Sequence, residues 1–459
     1  MATALQSFRL AARKAGTDHE LHRKLNFNIQ QYDKKVKEGK KQFTDLLLAS
    51  QRAKNLKWKA LEQLDKLLLE FEANITRRGA RVVWAETAKD ALNEIASIVK
   101  RIRARSVVKS KSMTTEELHL NDFLERLGVE VVETDLGEYI QQLDGEPPFH
   151  IVTPAMHKSK EDVARVFHDK LGTPLTLTPQ ELTMEARQRL REKYQRADIG
   201  ITGANFILPD IGGVLILENE GNARLCVTFS KVHIVVVGIE KVIPSIYDLS
   251  LFLPLLATYG TGQKVSVYNT IYTGPRQEYE TDGPQEMVVI LLDNGRSRLL
   301  AQLPQREALY CIRCGACLNA CPVYKNIGGH AYQTTYSGPI GKVITPHLLG
   351  MKEYRHLSQA SSLCGNCTEV CPMKINLHHL LVINRHQAVL QGYGSFYEQM
   401  SWKIWRRIML SRRLMNLGNA ALKNAGMRLL FRKSWGSYRT MVTFPSKSFN
   451  QLWREKNGQ

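Results

Sequence analysis

Seven of the eight cysteines in this chain fall between residues 311 and 372, and their spacing constrains the fold more than any other feature. The first run reads Cys311-Ile-Arg-Cys314-Gly-Ala-Cys317-Leu-Asn-Ala-Cys321-Pro322. In a C-x2-C-x2-C-x3-C-P run three thiolates wrap one iron-sulfur cube and the fourth points to the neighbouring cube. The second run, Cys364-Gly-Asn-Cys367-Thr-Glu-Val-Cys371-Pro372, has the same form with Ser361 standing where its first cysteine belongs. The pair predicts a two-cluster, ferredoxin-like module.

Exchange of the last cysteine between runs assigns Cys311, Cys314, Cys317 and Cys371 to a [4Fe-4S] cluster 1, and Cys321, Cys364 and Cys367 to cluster 2. Cluster 2 is then one thiolate short. It has three options: to sit as [3Fe-4S], to complete [4Fe-4S] with Ser361 or another oxygen or nitrogen ligand, or to leave one iron open. Zinc sites also use C-x2-C pairs, but four cysteines at steps of 3, 3 and 4 closed by Pro fit them poorly. Disulfides are disfavoured by the same tight spacing in a long chain without a secretion signal.

The first residues, Met1 to Lys14, are basic and mildly amphipathic but lack the apolar stretch of a secretory signal. No apolar run reaches the roughly 20 residues that cross a bilayer. The expectation is therefore a cytoplasmic protein. Its formal charge of +19 is unevenly placed, since residues 402–459 hold thirteen Lys and Arg against a single acid, Glu455. Trp402, Trp405, Trp435 and Trp453 lie among these cations, a texture shared by surface-lying membrane helices and RNA binders. No RNA-binding strand motif or zinc knuckle accompanies it. Two uses fit such a tail, peripheral contact with the inner face of a membrane and a solvated helical tail that packs its aromatics on the rest of the protein, and no nucleic acid is expected.

Along the chain, apolar residues at helical spacing in Phe43–Ala49 and Leu61–Phe71 predict a helical segment over residues 1–75 that packs against the domain behind it. From residue 76 to 305, short β-rich runs alternate with amphipathic stretches. Strands are expected at Arg81–Ala85, Ser106–Lys109, Val129–Val132, His150–Thr153, Asp198–Thr202, Gly213–Leu217 and His233–Val237, with a last one within 281–296. Helices are expected at Ala88–Arg103 and Thr115–Leu127. Such alternation predicts a mostly parallel sheet covered by helices. Residues 306–395 form the dicluster domain, and residues 396–459 a helical, basic, aromatic-rich tail.

Four polar loops fall where strands should end: Lys109–Met113, Thr202–Asn205, Glu218–Asn222 and Thr258–Gly262. In open α/β sheets ligands bind beyond the carboxyl ends of the strands, so together these loops make one candidate small-anion site, with Glu218 and Glu220 as candidate acids or bases. No G-x-G-x-x-G or Walker motif follows a strand. His330 is a candidate ligand or proton donor at a cluster, Cys226 reads as a buried small residue on a β-rich run, and His378 and His379 fall on different faces of one helix.

Several stretches resemble one family: Val108-Lys-Ser-Lys-Ser-Met113, Pro154-Ala-Met-His-Lys158, Glu218-Asn-Glu-Gly-Asn222, Asp282-Gly-Pro284, Asp293-Asn-Gly-Arg296, Asn326-Ile-Gly-Gly-His-Ala-Tyr332 and Ser362-Leu-Cys-Gly-Asn-Cys367. These look like the lactate utilization protein B family, over roughly residues 75–400. The resemblance implies an α/β LUD domain related to the NagB and CoA-transferase-like fold, followed by the ferredoxin-like module. It implies an iron-sulfur electron-transfer subunit of an L-lactate oxidoreductase complex that makes pyruvate and permits growth on lactate. Two companion subunits come with it, one with cysteine-rich C-C-G repeats and one a second LUD-domain protein. It carries over the seven cluster cysteines and no catalytic residue. The alternatives are a heterodisulfide-reductase-like or glycolate-oxidase-like wire for another substrate, or a cluster-containing nucleic-acid-binding sensor.

Overall fold

Mostly Val- and Ile-rich runs of three to seven residues supply the strands that organise the first 300 residues. They are β1 (Arg81–Ala85), β2 (Ser106–Lys109), β3 (Glu130–Glu133), β4 (Ile199–Thr202), β5 (Phe206–Leu208), β6 (Gly213–Glu218), β7 (Val232–Gly238), β8 (Tyr268–Tyr272) and β9 (Glu286–Leu292). Six form one sheet in the order β1-β9-β7-β4-β2-β3, with every pairing parallel. All of β7 is buried, as a central strand covered on both faces must be. The chain runs from β2 outward to β3, then returns to lay β4 on the other side of β2, pairing Val107 with Ile199. The strand order therefore reverses between β2 and β4, the position at which such sheets open a crevice. The computed structural model describes residues 3–435 and 439–458.

The expected mostly parallel sheet is present, with local departures. The Gly213–Leu217 run pairs antiparallel with β5 and β8 in a separate three-stranded sheet. Only four residues separate β5 from β6, too few for the crossover that a parallel partner needs. His150–Thr153 is not a strand. The Nδ1 atom of His150 accepts the backbone N–H groups of Val152 (3.1 Å) and Thr153 (3.2 Å), which removes those donors from any ladder. The helix expected over Thr115–Leu127 breaks into Met113–Glu117 and Leu120–Arg126 at His119, which has φ +50°. Thr258–Gly262 is the end of the helix Leu249–Thr261, closed by Gly262 at φ +80°, rather than a loop after a strand.

The N-terminal segment is helical, as expected: Ala4–Gly16, His19–Gly39, Leu46–Glu62 and Leu64–Thr76. Its apolar faces enter one core with both later regions, where Leu25, Ala60 and Phe71 share a cluster with Phe206 and Val289 of the sheet region and with Leu318, Tyr324 and Leu381. Each fully buried Leu or Phe contributes roughly 1.5–3 kcal/mol. The cysteine-bearing region is built of short helices: Ala316–Ala320, Pro322–Ile327, Gly338–Leu348, Met351–Gln359, Asn366–Glu369 and Leu377–Leu390. Met1–Ala388 forms one compact unit. Val389–Gln459 forms a second, with helices at Phe396–Leu410, Arg412–Asn416, Ala420–Trp435 and Phe449–Asn457. Among the described residues no helix is long and apolar enough to cross a membrane.

Candidate metal centres and an adjoining cavity

The two cysteine runs fold alike. In the first, Arg313 (φ +61°) and Gly315 (φ +77°) flank Cys314 in the left-handed region, and a short helix then carries Cys317. In the second, Leu363 (φ +58°) and Gly365 (φ +85°) flank Cys364, and a short helix carries Cys367. A left-handed residue on each side of the middle cysteine curls the chain around a point, the turn that wrapping a cube requires. The likeness extends to hydrogen bonding. Cys311 Sγ accepts the N–H of Arg313 at 3.4 Å, and Ser361 Oγ accepts the N–H of Leu363 at 3.2 Å. Ser361 thus occupies in the second run the place that Cys311 occupies in the first.

Cys311, Cys314, Cys317 and Cys371 line one small apolar cavity with Ile151, Ile340 and Met373. Burial, then the neighbouring thiols Cys311 and Cys371, pushes the Cys314 thiol up, and Cys317 rises for the same reasons. Burial comes first for Cys371 as well, pushed to about 12 with Cys311 contributing. Cys367 is raised to about 11 by burial, then by Cys321 and Cys364. These interactions divide the seven thiols into a group of four and a group of three. Buried sulfurs that oppose one another's ionisation become stable thiolates when iron supplies compensating charge, so the donor set fits iron-sulfur clusters. All eight cysteines are free of disulfides. Cys364 is exposed, and Lys342, wholly buried, reaches Cys321 Sγ at 3.8 Å.

The remaining candidates stand apart from these groups. His330 Nε2 meets the carbonyl of Pro147 at 2.7 Å and its ring packs against Phe149 and His157. Cys226 is buried, as expected, but lies on the helix Asn222–Phe229 rather than on a β run, 3.4 Å from Thr134 Oγ1. Burial raises its thiol to about 12. His378 Nδ1 meets Thr368 Oγ1 at 2.7 Å, and His379 is exposed.

The four polar loops converge. Ser110, Lys111 and Ser112 after β2, Gly203 and Asn205 after β4, Glu218 at the end of β6 and Glu220 beyond it, and Gly260 of the helix end all line one cavity of about 700 Å³. It sits at the reversal between β2 and β4. A side chain at Gly203 would come within 2.8 Å of Ser112 Oγ, so the two loops touch at a position only glycine allows. Lys109, part of the first loop's signature, does not serve this cavity. Its ammonium is buried against Glu116 and Glu133, 2.7 Å from each. Burial raises the carboxyls of Glu218 and Glu220.

Residues not singled out as site candidates from sequence complete the lining: Lys241, His150 and, from the first cysteine run, Arg313. A side chain at Gly315 would meet His150 Cε1 at 3.0 Å, so this ring abuts the first run. His150 is neutral, held low at about 3 by burial and then by Lys111. Its Nδ1 accepts two backbone donors, leaving Nε2 as the protonated nitrogen. Behind this lining, Arg296 forks onto Glu117 (2.9 and 2.8 Å) and bonds Glu240 at 2.6 Å, and Tyr336 donates to Glu117 at 2.7 Å. Lys241 stands three residues beyond the end of β7, a position that a carboxyl-end rule would have flagged had the 3-10 turn Ile239–Lys241 been foreseen.

Comparison with known proteins adds the family context. The LUD domain profile matches residues 68–292, and the 4Fe-4S dicluster domain profile matches residues 307–375. Lactate utilization protein B of Geobacillus sp. (strain WCH70) is 46% identical over 80% of this chain and 77% of its own length. The protein of the same name from Anoxybacillus flavithermus is 46% identical over 78% of this chain and 76% of its own. That from Bacillus velezensis is 46% identical over 76% and 74%.

Proposed function

Because the chain belongs to the lactate utilization protein B family, we propose that it is the iron-sulfur electron-transfer subunit of a complex that oxidises L-lactate to pyruvate. The observation that carries this reading is that Cys311, Cys314, Cys317 and Cys371 line one small cavity while Cys321, Cys364 and Cys367 lie outside its lining. Cys311, Cys314, Cys317 and Cys371 would hold a [4Fe-4S] cluster 1. Cys321, Cys364 and Cys367 would hold cluster 2 as [3Fe-4S] or as [4Fe-4S] completed by a ligand that is not cysteine. Clusters of this kind accept one electron each, so two in sequence relay the pair released by a 2-hydroxy acid.

The groups differ in their surroundings, which suggests a direction. The four-thiol group abuts the large cavity through Arg313 and His150, whereas the three-thiol group reaches the surface at Cys364. Cluster 2 is then the end that faces an external acceptor. Two companion subunits, one with cysteine-rich C-C-G repeats and one a second LUD-domain protein, would supply the remaining steps. The basic tail would hold the assembly against the inner face of a membrane.

The test is anaerobic purification followed by iron and acid-labile sulfide analysis and electron paramagnetic resonance. Cys314→Ser should remove the cluster 1 signal and abolish electron transfer to artificial acceptors while the sheet region stays folded. Reduction of acceptors at the parental rate by that variant would overturn the relay.

A further inference from the structure

The cavity between the sheet edge and the first cysteine run holds more positive charge than its own acids neutralise. Lys241 is 8% exposed, and its ammonium donates no hydrogen bond to any described residue. The carboxylate next to it in sequence, Glu240, is already taken by Arg296 at 2.6 Å. Arg313 reaches Glu240 only at 3.5 Å, lies over the Tyr336 ring at 4.5 Å, and leaves its buried Nη1 without a partner. A third cation behind them, Lys57, is satisfied by the carbonyls of Glu240 and Val242. Lys241, without a hydrogen bond, and Arg313, with one buried N–H group left free, therefore line the same cavity. A buried cationic N–H group without an acceptor is costly, and an anion placed between the two side chains would supply one to each. Burial and then Arg313 hold the Lys241 ammonium down at about 8, a repulsion that an anion between the two would relieve.

The cavity lining also includes Glu218, Glu220 and Asn205. A ligand that satisfies both the cations and these polar groups carries a carboxylate and, beside it, a hydroxyl or carbonyl group. His150 adds a neutral donor at the cluster end of the cavity, through Nε2. We propose that this cavity binds 2-hydroxy- and 2-oxocarboxylates, with Lys241 and Arg313 holding the carboxylate beside the first cysteine run. This deepens the proposed function by placing its substrate class in this chain, and rests on that reading only for the choice of acid. At about 700 Å³ the cavity is in the range that takes whole organic ligands, so acids with longer side chains should enter as well.

The experiment is calorimetric titration of the full-length, anaerobically purified protein with L-lactate, pyruvate, a longer-chain 2-hydroxy acid and inorganic phosphate. The expected result is saturable binding of the carboxylates, weakened more than tenfold in Lys241→Gln and in Arg313→Gln at unchanged iron content. Ala204→Leu, which fills the cavity wall without removing a charge, should weaken binding too and guards against a cation variant that misfolds. Absence of saturable binding by the parental protein would overturn the proposal. So would equal binding by all variants, or phosphate competing as well as the carboxylates. Variants that move only the cluster's midpoint potential would mark the two cations as counter-charges of the cluster, which also overturns it. Lys241-dependent binding by colourless, iron-free protein would sink the electron-transfer reading and leave this one standing. Clusters present without carboxylate binding would do the reverse.

Discussion

Arg296 is the largest fully buried side chain among the described residues, and replacing it with Met should cost about 3–5 kcal/mol of stability. The reasoning starts from exposure: Arg296, Glu117 and Glu240 side chains are 2%, 3% and 2% exposed, so neither carboxylate can turn to water when the guanidinium is removed. A second route gives a similar magnitude. Glu240 is burdened by burial, yet Arg296 first, then Lys241 and Arg313, hold it at about 2 against an ordinary 4.5. That difference corresponds to about 3 kcal/mol at neutral pH. The sign follows from the depressed value. The stabilisation is present above the unfolded-state pKa and is lost as pH falls from about 4.5 toward 2, so about 1 kcal/mol of it should already be gone at pH 4. Urea unfolding of anaerobic protein, followed by circular dichroism, should show the midpoint of Arg296→Met well below the parent at pH 7 and the gap narrowing between pH 5 and pH 4. Arg296→Lys should fall between them, since one ammonium cannot serve two carboxylates as the fork does. A variant as stable as the parent at pH 7, or a gap that does not change with acid, would refute the electrostatic argument.

Ser361→Cys supplies a thiol where the second run has a hydroxyl, so it should convert the spectroscopic signature of cluster 2 toward that of an all-cysteine [4Fe-4S] site. An unchanged resonance spectrum would mean that position 361 does not face the cluster. Lys342→Met removes a buried ammonium 3.8 Å from Cys321 Sγ, and should lower the reduction potential of cluster 2 by on the order of 100 mV, read by redox titration. A potential that stays put would place the charge outside the cluster's field. The tail's thirteen cations against Glu455 predict sedimentation with anionic vesicles that declines with salt, and a chain truncated after Ala388 should stay in the supernatant.

What could be seen in advance divides along physical lines. The parallel strands were legible because a strand buried on both faces must be apolar throughout, and Val232–Gly238 and Glu286–Leu292 are nearly so. The polar loops were legible as strand ends, and their convergence follows from the reversal between β2 and β4. Edge pieces were not. Phe206–Leu208 has three residues, and Tyr268–Tyr272 is only half buried, so neither carries a periodic signal. The run at His150 misled because its composition suits a strand while its imidazole captures the backbone donors a strand needs. Lys241 and Arg313 were invisible as a pair because 72 residues of chain separate them, and only the packing of the first cysteine run on the end of β7 brings them to one cavity.

The N-terminal helices show how that packing is held. The expected contact with the sheet region exists: Asn28 donates to the Met156 carbonyl at 2.8 Å and Tyr32 to the Tyr259 carbonyl at 2.6 Å. The same helices also grip the cysteine-bearing region. Phe8 meets Tyr332 edge-on and His356 at a tilt, His22 meets the Asn326 carbonyl at 2.8 Å, and Lys54 bridges Glu307 and the Lys374 carbonyl. Lys57 closes the arrangement by donating to the two carbonyls that flank Lys241. A segment that bonds both regions on either side of the cavity fixes its width. The spacing between the sheet edge and the first cysteine run is therefore set by residues 8–57 as much as by the loops that line it.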